Sequence, residues 1–306
     1  MVYEDFDCPI CANKDFNVLR FKNDKMSNKV LREPNLFSAS SNYKLFDQLV
    51  KCKICGHVMT NPRLSTTDLI ESYSNSTENN HFVQNKFRID SFEKALKKII
   101  KKNNLKTAES ELKVLDIGCA SGAFLQAAKN ITNWNLKGIE PSIAMVKFGN
   151  TNYGLDITQG VFAENSFPNE KFDIISLWDV LEHVNHPDKL ILEISNKLKI
   201  NGILIINVPN LNTITARVMR YSWPFYLAVH IHYFKDDTLK KLLANYKLQV
   251  ISQKPYFQKL GLGYVFFRAA NYIHNKIEYN NFFKMFDNIP IWYNMGQTTF
   301  IARLCH

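Results

Sequence analysis

The chain predicts an α/β fold built on a mostly parallel sheet with helices on both of its faces. Between residues 113 and 255, short apolar runs of strand length alternate with longer amphipathic runs of helix length, and this alternation is typical of βαβ units. The first apolar run, 114–117, leads directly into a glycine-rich turn. In open sheets of this class a ligand lies at the carboxyl ends of the strands, so we expect a binding site at this turn.

The predicted elements follow one another along the chain. An amphipathic helix is predicted at 82–104, ahead of the first strand. The strands are predicted at 113–117, 135–140, 156–160, 172–178, 202–208 and 248–255. The helices between and after them are predicted at 121–130, 142–149, 188–198 and 236–245. Ser121 is an expected N-terminal cap, because its hydroxyl can accept a hydrogen bond from a free backbone N–H.

The glycine turn has the form Asp116-x-Gly118-x-x-x-Gly122 and is open to two interpretations. In a dinucleotide fingerprint the glycines let a pyrophosphate approach the start of a helix. Here the glycine spacing is longer, and a carboxylate two residues before the first glycine would repel a phosphate and attract a cation. The next strand ends at Glu140, about 20 residues further on, where a ribose-binding acid is expected.

This pattern resembles the first motif of the class I S-adenosylmethionine (SAM) methyltransferases, in which the turn holds the amino-acid end of a cofactor that carries a sulfonium. The resemblance implies a Rossmann-like fold whose seven-stranded sheet is parallel except for the last strand, which residues 298–304 can supply at the sheet edge. It also implies a set of cofactor-binding residues. These are Asp116, Gly118, Cys119, Gly122, Glu140, Pro141, Val161, Phe162, Trp178 and Asp179.

Residues 172–187 extend the resemblance. Their sequence, Phe-Asp-Ile-Ile-Ser-Leu-Trp-Asp-Val-Leu-Glu-His-Val-Asn-His-Pro, resembles the fourth strand and the following segment of the branch that includes the ubiquinone-type O-methyltransferases and many sugar methyltransferases. Because this segment follows the glycine turn and Glu140 in the family's order, we expect an enzyme that uses SAM.

Four cysteines form two C-x-x-C pairs, Cys8 with Cys11 and Cys52 with Cys55. Each spacing lets two thiolates of one tight turn bind a single metal ion. Zinc is the predicted occupant and its role is structural, since four sulfurs close a tetrahedral shell; disulfides or separate free thiols are the alternatives. The segment also resembles the zinc-binding N-terminal region of many bacterial methyltransferases that modify saccharides and antibiotic sugars.

These observations divide the chain into three parts. Residues 1–64 form the expected zinc-binding domain, 65–110 a helical connector with a lid loop at 74–80, and 111–306 the methyltransferase domain. An aromatic-rich insertion at 256–292 is expected to pack on the core or in an interface. Peripheral membrane contact and a homodimer are left open.

Composition limits the expected partners and location. The 306 residues carry a formal net charge of +10, which is spread along the chain. The densest basic run, 97–102, lies in a predicted helix whose opposite face is apolar, so we interpret it as a solvated face and expect no nucleic-acid partner. No apolar run of about 18 residues predicts a membrane span. The N-terminus lacks a basic start and an apolar stretch, so we expect a cytoplasmic protein.

Methyl transfer to a hydroxyl benefits from a group that removes the proton. His183 is the leading candidate because histidine titrates near neutral pH, with packing or helix capping as the alternative role. Glu182 and His232 are the further catalytic candidates, and His230 and His186 are weaker ones. The aromatic and basic segment 209–234 is expected to line the acceptor pocket.

Asp179, Glu182, His183 and His232 also resemble the site at which small-RNA 3′-terminal 2′-O-methyltransferases hold a divalent cation. Two differences speak against this alternative: the first acid is an aspartate where that family has glutamate, and the zinc-binding segment is of the saccharide type. The predicted function is therefore SAM-dependent methylation of a carbohydrate or related small molecule at a hydroxyl. The RNA enzyme and a non-catalytic SAM-binding module are the alternatives.

Overall fold

The computed structural model describes residues 2–23, 43–74, 84–105, 107, 112–274, 277 and 279–305. The predicted lid loop at 74–80 lies outside these ranges apart from its first residue.

The strands and helices of the described residues match the predicted alternation. The strands are β1 (Tyr3–Glu4), β2 (Phe16–Arg20), β3 (Leu49–Cys52), β4 (Val58–Thr60), β5 (Arg63–Leu64), β6 (Lys113–Ile117), β7 (Asn135–Glu140), β8 (Ile157–Gln159), β9 (Phe172–Trp178), β10 (Leu198–Pro209), β11 (His232–Tyr233), β12 (Leu248–Pro255), β13 (Gln258–Gly261), β14 (Pro290–Tyr293) and β15 (Gln297–Leu304). The α-helices are α1 (Thr66–Ser74), α2 (Asn85–Asn103), α3 (Ala123–Ile131), α4 (Ile143–Tyr153), α5 (Pro187–Lys197), α6 (Ile214–Met219), α7 (Asp236–Ala244), α8 (Leu262–His274) and α9 (Asn281–Lys284).

A seven-stranded sheet in the order β12-β15-β10-β9-β6-β7-β8 forms the centre of the larger part. Strands β10, β9, β6, β7 and β8 pair in parallel. Strand β15 runs antiparallel to both β10 and β12. This is the predicted Rossmann-like methyltransferase sheet with an antiparallel last strand, and that prediction is confirmed.

One detail of the predicted sheet is wrong. The last strand was expected at the sheet edge, but β15 lies between β10 and β12. Six of its eight residues are buried, whereas only two of the eight residues of β12, at the edge, are buried. The apolar and threonine side chains of 298–302 can therefore be covered from both sides, as a central strand requires.

Helices cover both faces of this sheet, as the alternation predicts. Neighbouring residues of β9 point to opposite faces: Ile175 joins a buried cluster with residues of α5 and α7, whereas Ile174 joins one with residues of α2 and α3. Two separate cores thus lie above and below the strands. The prediction that Ser121 caps the following helix is wrong. Gly122 occupies the cap position of α3, and the Ser121 hydroxyl donates to Asn85 Oδ1 instead.

The insertion after β12 forms a small subdomain that packs on α2. Strands β13 and β14 pair antiparallel, and α8 and α9 lie between them in sequence. Two hydrogen bonds join this subdomain to α2 and its first flanking residue: Lys259 N donates to Ser91 Oγ at 2.7 Å and Gly261 N donates to Gln84 Oε1 at 3.0 Å. None of the described helices is both long enough and apolar enough to cross a membrane.

The N-terminal part shares its sheet with the larger part. Strands β2, β3 and β4 form three strands of a four-stranded sheet, and the fourth is β11 from the loop after β10. The Thr60 N–H also donates to Ile231 O at 2.9 Å. A buried cluster around Leu45, Leu49, Trp223 and Tyr233 joins the same two regions. Residues 43–64 therefore help to position the loop after β10.

Candidate active site

The glycine turn lies at the carboxyl end of the central strand β6. Gly118 and Gly122 adopt positive φ values of 65° and 79°, which side chains with a Cβ rarely tolerate. A Cβ on Gly118 would also lie 2.7 Å from Val180 Cγ2. Cys119, which follows the first glycine, is buried. The turn is therefore narrow, and it brings main chain to the sheet end where a ligand is expected.

Asp116 lies inside this turn, with 2% of its surface exposed. Its Oδ1 accepts a hydrogen bond from Ser176 Oγ of β9 at 2.6 Å. Burial raises the pKa of Asp116 to about 8; the Ser176 hydrogen bond opposes this rise and the charge of Glu140 adds to it. The carboxyl group therefore takes up a proton readily unless a positive charge lies nearby.

Glu140 ends β7 and is tied to the same turn. Its Oε2 accepts from the Ala120 N–H at 2.9 Å and its Oε1 from the Ser142 N–H at 3.0 Å. Burial raises its pKa, and these two backbone bonds oppose the rise. Two buried acids thus share one end of the sheet. Two carboxylates fit a ligand with a positive charge and hydroxyl groups, such as SAM, better than a pyrophosphate, which they would repel.

The expected adenine side lies in the loop after β8. Phe162 is buried and belongs to the core cluster that contains Ile117 and Ile139, whereas Val161 is 46% exposed. Pro141, directly after β7, is partly buried. The side chain of Val161 is therefore the accessible one of the predicted pair.

A small, shallow aromatic cleft lies at the carboxyl end of β9. Its lining consists of Arg88, Ser91, Phe92, Trp178, Asp179, Tyr256 and Gln258. The Trp178 ring lies 4.8 Å from Phe92 and 5.2 Å from Tyr256 between centroids. A flat apolar group could be held against these rings, while Arg88 supplies a positive charge at the same cleft.

Asp179 is held firmly at the edge of this cleft. Its Oδ1 accepts from Asn207 Nδ2 at 2.8 Å and from Gln297 Nε2 at 2.6 Å. Its φ of 58° marks a strained backbone position. Burial raises the pKa of Asp179, and the positive charge of Arg88 opposes the rise.

Glu182 and His183 lie in a short 3₁₀ helix directly after β9 and meet His230 from the loop after β10. The potential ligand atoms of these three residues lie within 4.8 Å of one another. The His183 and His230 ring centroids are 4.7 Å apart. Burial lowers the pKa of His183 to about 4, so this imidazole is neutral at physiological pH.

Of the three predicted catalytic residues, Glu182 and His183 lie in this group, whereas His232 lies outside it. Its Nδ1 lies 3.0 Å from Nε2 of His57, and the two rings stack. The reason is a turn: the His230 N–H donates to Leu227 O, whereas His232 already pairs with Met59 of β4. Asp179 is also outside the ligand group, although its charge raises the pKa of the buried Glu182 further.

A buried arginine connects the N-terminal part to this region. Arg63, 1% exposed, donates from Nε to Asn185 Oδ1 at 2.9 Å and from Nη2 to Asn185 O at 2.8 Å. Asn185 Nδ2 in turn donates to Leu64 O at 2.9 Å. The chain two residues after His183 is thereby fixed to β5. Burial lowers the pKa of Arg63 to about 9.

The four cysteines form one cluster, although they come from two distant parts of the sequence. Cys8 Sγ lies 3.4 Å from Cys55 Sγ, and Cys11 Sγ lies 3.6 Å from Cys52 Sγ. All four sulfurs lie within 4.8 Å of one another. A tetrahedral zinc site with bonds of about 2.3 Å requires sulfurs about 3.8 Å apart, so the arrangement fits zinc. His57 points to His232 instead, in agreement with its omission from the predicted ligands.

Several site residues escaped the sequence analysis. Arg88, Tyr256 and Gln258 line the cleft, and Arg63 and Asn185 fix the region behind it. Arg88 lies on the helix before the first strand, and Tyr256 begins the insertion, so neither is near a family motif. Arg63 lies eight residues after Cys55, and a charged residue close to a short apolar strand was the available signal.

Comparison with known proteins agrees with this arrangement. A family model described as a methyltransferase domain matches residues 81–253. The chain is 28% identical over 153 residues to the ubiquinone biosynthesis O-methyltransferase of Bartonella bacilliformis, covering 46% of this chain and 62% of that protein. It is 33% identical over 119 residues to the protein of the same name from Pelagibacter ubique, covering 37% and 49%. The chain thus spans about half the length of these curated relatives.

Among solved structures, an S-adenosylmethionine-dependent methyltransferase from Clostridium acetobutylicum superimposes with a TM-score of 0.47 at 13% identity, covering 71% of this chain and 92% of that one. The residues matched by the family model, 81–253, make up more than half of the 306-residue chain and contain the glycine turn, both buried acids and the segment after β9. The chain therefore belongs to the methyltransferase-domain family.

Proposed function

We propose that this protein transfers a methyl group from SAM to a hydroxyl of a small-molecule acceptor. The observation that carries the proposal is the pair of buried acids, Asp116 and Glu140, of which the first begins the narrow glycine turn and the second is hydrogen-bonded to it. Their charges suit the permanently positive cofactor. SAM supplies an activated methyl on its sulfonium, and the chain must bind it, align an acceptor and keep water out.

Each residue predicted to bind the cofactor has a proposed role. Asp116 and Glu140 would bind the amino-acid and ribose portions, and Gly118, Cys119 and Gly122 would let the cofactor lie close to the main chain. Pro141, Val161 and Phe162 would flank the adenine. Trp178 and Asp179, at the end of β9, border both this side and the aromatic cleft.

The acceptor side is proposed to be the aromatic cleft and the segment after β9. Phe92, Trp178 and Tyr256 would hold an apolar part of the acceptor and exclude water. His183 has the geometry of a proton-accepting group, because its Nδ1 lies 2.9 Å from the Val229 carbonyl. A carbonyl can only accept, so Nδ1 carries the hydrogen and Nε2 has the lone pair.

The second part of the proposal concerns the chemical class of the acceptor. Two relatives are named for ubiquinone biosynthesis and for O-methylation, which supports a hydroxyl acceptor of low molecular weight. A carbohydrate rests only on the resemblance of the cysteine segment to saccharide-modifying enzymes, and the aromatic cleft is equally suited to a phenolic ring. Carbohydrates and phenols should therefore both be tested as acceptors.

We also propose that Cys8, Cys11, Cys52 and Cys55 hold a structural zinc ion. A closed shell of four sulfurs leaves no position for a substrate. Its part would be to fix β3 and β4, and through them the loop after β10.

Calorimetry with SAM and S-adenosylhomocysteine tests the cofactor assignment. We expect both to bind at micromolar concentration or tighter, and NAD⁺ not to bind. Asp116→Ala should remove binding, while Glu4→Ala, an exposed acid in β1, should leave it unchanged. Binding of NAD⁺ in place of SAM, or full SAM affinity in Asp116→Ala, would overturn the proposal.

Turnover is tested separately. The protein is incubated with SAM labelled in its methyl group and with catechols, sugar nucleotides and fractionated cell extract, and labelled products are identified by mass spectrometry. We expect label in a methyl ether. Cofactor binding without any labelled product would favour a non-catalytic SAM-binding protein.

A further inference from the structure

Asp179 is held by side chains from two other strands of the central sheet. Asn207 Nδ2 of β10 and Gln297 Nε2 of β15 both donate to its Oδ1, at 2.8 and 2.6 Å. The two amides are buried, with 0% and 4% of their residues exposed. Buried polar side chains are kept where they have partners, and the partner that these two share is the carboxylate of Asp179.

Both amides are fixed with their nitrogen towards Asp179. The Thr299 hydroxyl donates to Asn207 Oδ1 at 3.1 Å, and Gln258 Nε2 donates to Gln297 Oε1. Each amide oxygen therefore has its own donor, which leaves each amide nitrogen for the carboxylate. Since Gln258 belongs to β13, this network extends from the central sheet into the insertion after β12.

The network acts on a residue with a strained backbone. Asp179 has a φ of 58°, which costs free energy for a residue with a Cβ and is typical of functional sites. Its N–H donates to Asn207 O at 3.1 Å, so its backbone and its side chain are tied to the same residue. Burial raises the pKa of Asp179, and the charge of Arg88 and then the two amide bonds oppose the rise. The contacts thus stabilise one orientation of a carboxylate.

This carboxylate lies beside the glycine turn. Strand β9 pairs in parallel with β6, and a Cβ on Gly118 would lie 2.7 Å from Cγ2 of Val180, the residue after Asp179. Both hydrogen bonds that the Asp179 side chain accepts from the described residues go to Oδ1. Because Asp179 is partly exposed at the aromatic cleft, Oδ2 is the oxygen left for a ligand.

We propose that Asn207 and Gln297 are positioning residues, which hold Asp179 so that its Oδ2 accepts a hydrogen bond from the α-ammonium group of the cofactor. The inference rests on the proposed SAM-dependent function and adds two residues outside the predicted cofactor set. The amino-acid end of SAM is the part expected at the glycine turn, and its ammonium is a cationic hydrogen-bond donor, whereas the sulfonium has no hydrogen to donate. A carboxylate that is fixed in advance loses less conformational freedom on binding, which strengthens the contact.

Two thioether ligands separate this role from a general effect on the site. S-adenosylhomocysteine carries the α-ammonium group, whereas 5′-methylthioadenosine has the same adenosine and thioether without the amino-acid portion. Calorimetry of the full chain measures both affinities. We expect Gln297→Met to weaken S-adenosylhomocysteine binding about threefold to tenfold and to leave 5′-methylthioadenosine binding unchanged. Gln249→Met, the same change at an exposed position of β12, should leave both affinities unchanged.

A double-mutant cycle shows whether Gln297 acts through Asp179. Asp179→Ala should weaken S-adenosylhomocysteine binding at least as much as Gln297→Met does, and Gln297→Met should have no further effect when added to Asp179→Ala. Thr299→Val is a milder, isosteric second variant that removes the hydrogen bond to Asn207. It should weaken the same ligand, by less, and again leave 5′-methylthioadenosine binding unchanged.

Three results would overturn the inference. They are an equal loss of both ligands, unchanged affinities in Gln297→Met, and additive effects of Gln297→Met and Asp179→Ala. If the melting curve shows that Gln297→Met does not fold, Thr299→Val decides by the same comparison of ligands. Failure of the wild-type protein to bind either ligand would defeat the proposed function and this inference with it, whereas wild-type binding that Gln297→Met does not weaken selectively would defeat the inference alone.

Discussion

The two sides of the site are built from different kinds of contact. On the cofactor side the residues come from consecutive strand, turn and helix segments, and Glu140 binds an amide only 20 residues away. On the acceptor side the partners are distant in sequence: Arg63 and Asn185 are 122 residues apart, and His57 and His232 are 175 apart. The first side is thus local in sequence, whereas the second depends on the N-terminal part being in place.

This difference predicts that the two sides respond differently to damage. A change in the N-terminal part should disturb the acceptor side and leave the cofactor side largely intact, because β6, β7 and β8 pair among themselves. A change at the glycine turn should do the opposite. The substitutions below separate the two cases.

The largest expected effect is that of Cys8→Ser. Loss of one thiolate should remove zinc from the cluster, and structural zinc contributes on the order of 10 kcal/mol to folding in isolated zinc fingers. We expect a zinc content near zero, unfolding of the region around β2, β3 and β4, and a lower melting temperature. Metal analysis and hydrogen exchange measure these changes.

Cys305→Ser is the matched control, since Cys305 is exposed and lies outside the cluster. It should keep full zinc content and melting temperature. If Cys8→Ser also remained folded around β3 without metal, the cysteines would not form a structural zinc site.

Arg63→Met should have the next largest effect. The substitution keeps much of the volume but removes the bonds to Asn185 and Thr60. Hydrogen bonds from charged groups contribute about 1.5–3 kcal/mol each, so we expect the free energy of unfolding to fall by about 3 kcal/mol. Arg63→Lys should recover only part of it, because an ammonium cannot form the same paired bonds. Denaturant unfolding gives the values.

Arg217→Met, the same change at an exposed position, should shift stability by less than about 0.5 kcal/mol. Cofactor affinity should remain within a few-fold of the wild-type value in both variants. A strong loss of SAM affinity in Arg63→Met, without global unfolding, would mean that the two sides are not separable in the way their contacts suggest.

The difference between local and distant contacts also explains which parts of the fold could be predicted from the sequence. Strands 113–117, 135–140, 172–178 and 248–255 were predicted with the bounds that the structure shows, because each is a stretch of strand length that contains apolar residues and lies next to a predicted helix or turn. The antiparallel pairing of β15 came from resemblance, but its place between β10 and β12 did not follow from any local pattern. Strand order is a property of the whole sheet.

The choice between His230 and His232 shows why the acceptor side was harder. In an extended chain, residues two apart point to the same side, so sequence spacing could not separate them. The structure does so through a turn, in which the His230 N–H donates to Leu227 O, and through the pairing of His232 with β4. The turn is local, but the pairing with β4 depends on a strand that lies far away in the sequence.

A smaller effect is expected from Glu140→Ala. Removal of the carboxylate deletes the acceptor expected for the ribose hydroxyls, and it also frees the Ala120 and Ser142 N–H groups. We expect SAM affinity to fall by about 1–3 kcal/mol, measured by calorimetry, while zinc content stays unchanged. Glu4→Ala serves again as the control, and equal affinities of the two variants would remove Glu140 from the cofactor site.

The smallest expected effect is a pH dependence of cofactor affinity that comes from Asp116. Burial raises its pKa from 3.8 to about 8 in the free protein, so the folded state holds a proton there that the unfolded state releases above about pH 4. Stability from this group therefore falls as pH rises from about 4 to 8. A bound sulfonium favours the carboxylate, so binding must release this proton, and SAM affinity should rise by up to about tenfold per unit between pH 5.5 and 7.5.

Calorimetry in two buffers of different ionisation enthalpy measures the released proton directly. Asp116→Asn cannot ionise, so it should bind more weakly and with a flat pH profile, whereas Glu4→Ala should keep the slope. The sulfonium charge does not titrate, and the range ends below the pKa of the cofactor's amino group, about 8 for a free α-amino group. A rising affinity can then come only from the protein, and a slope that survives in Asp116→Asn would assign the proton to another group of the cofactor side, with Glu140 as the next buried acid to test.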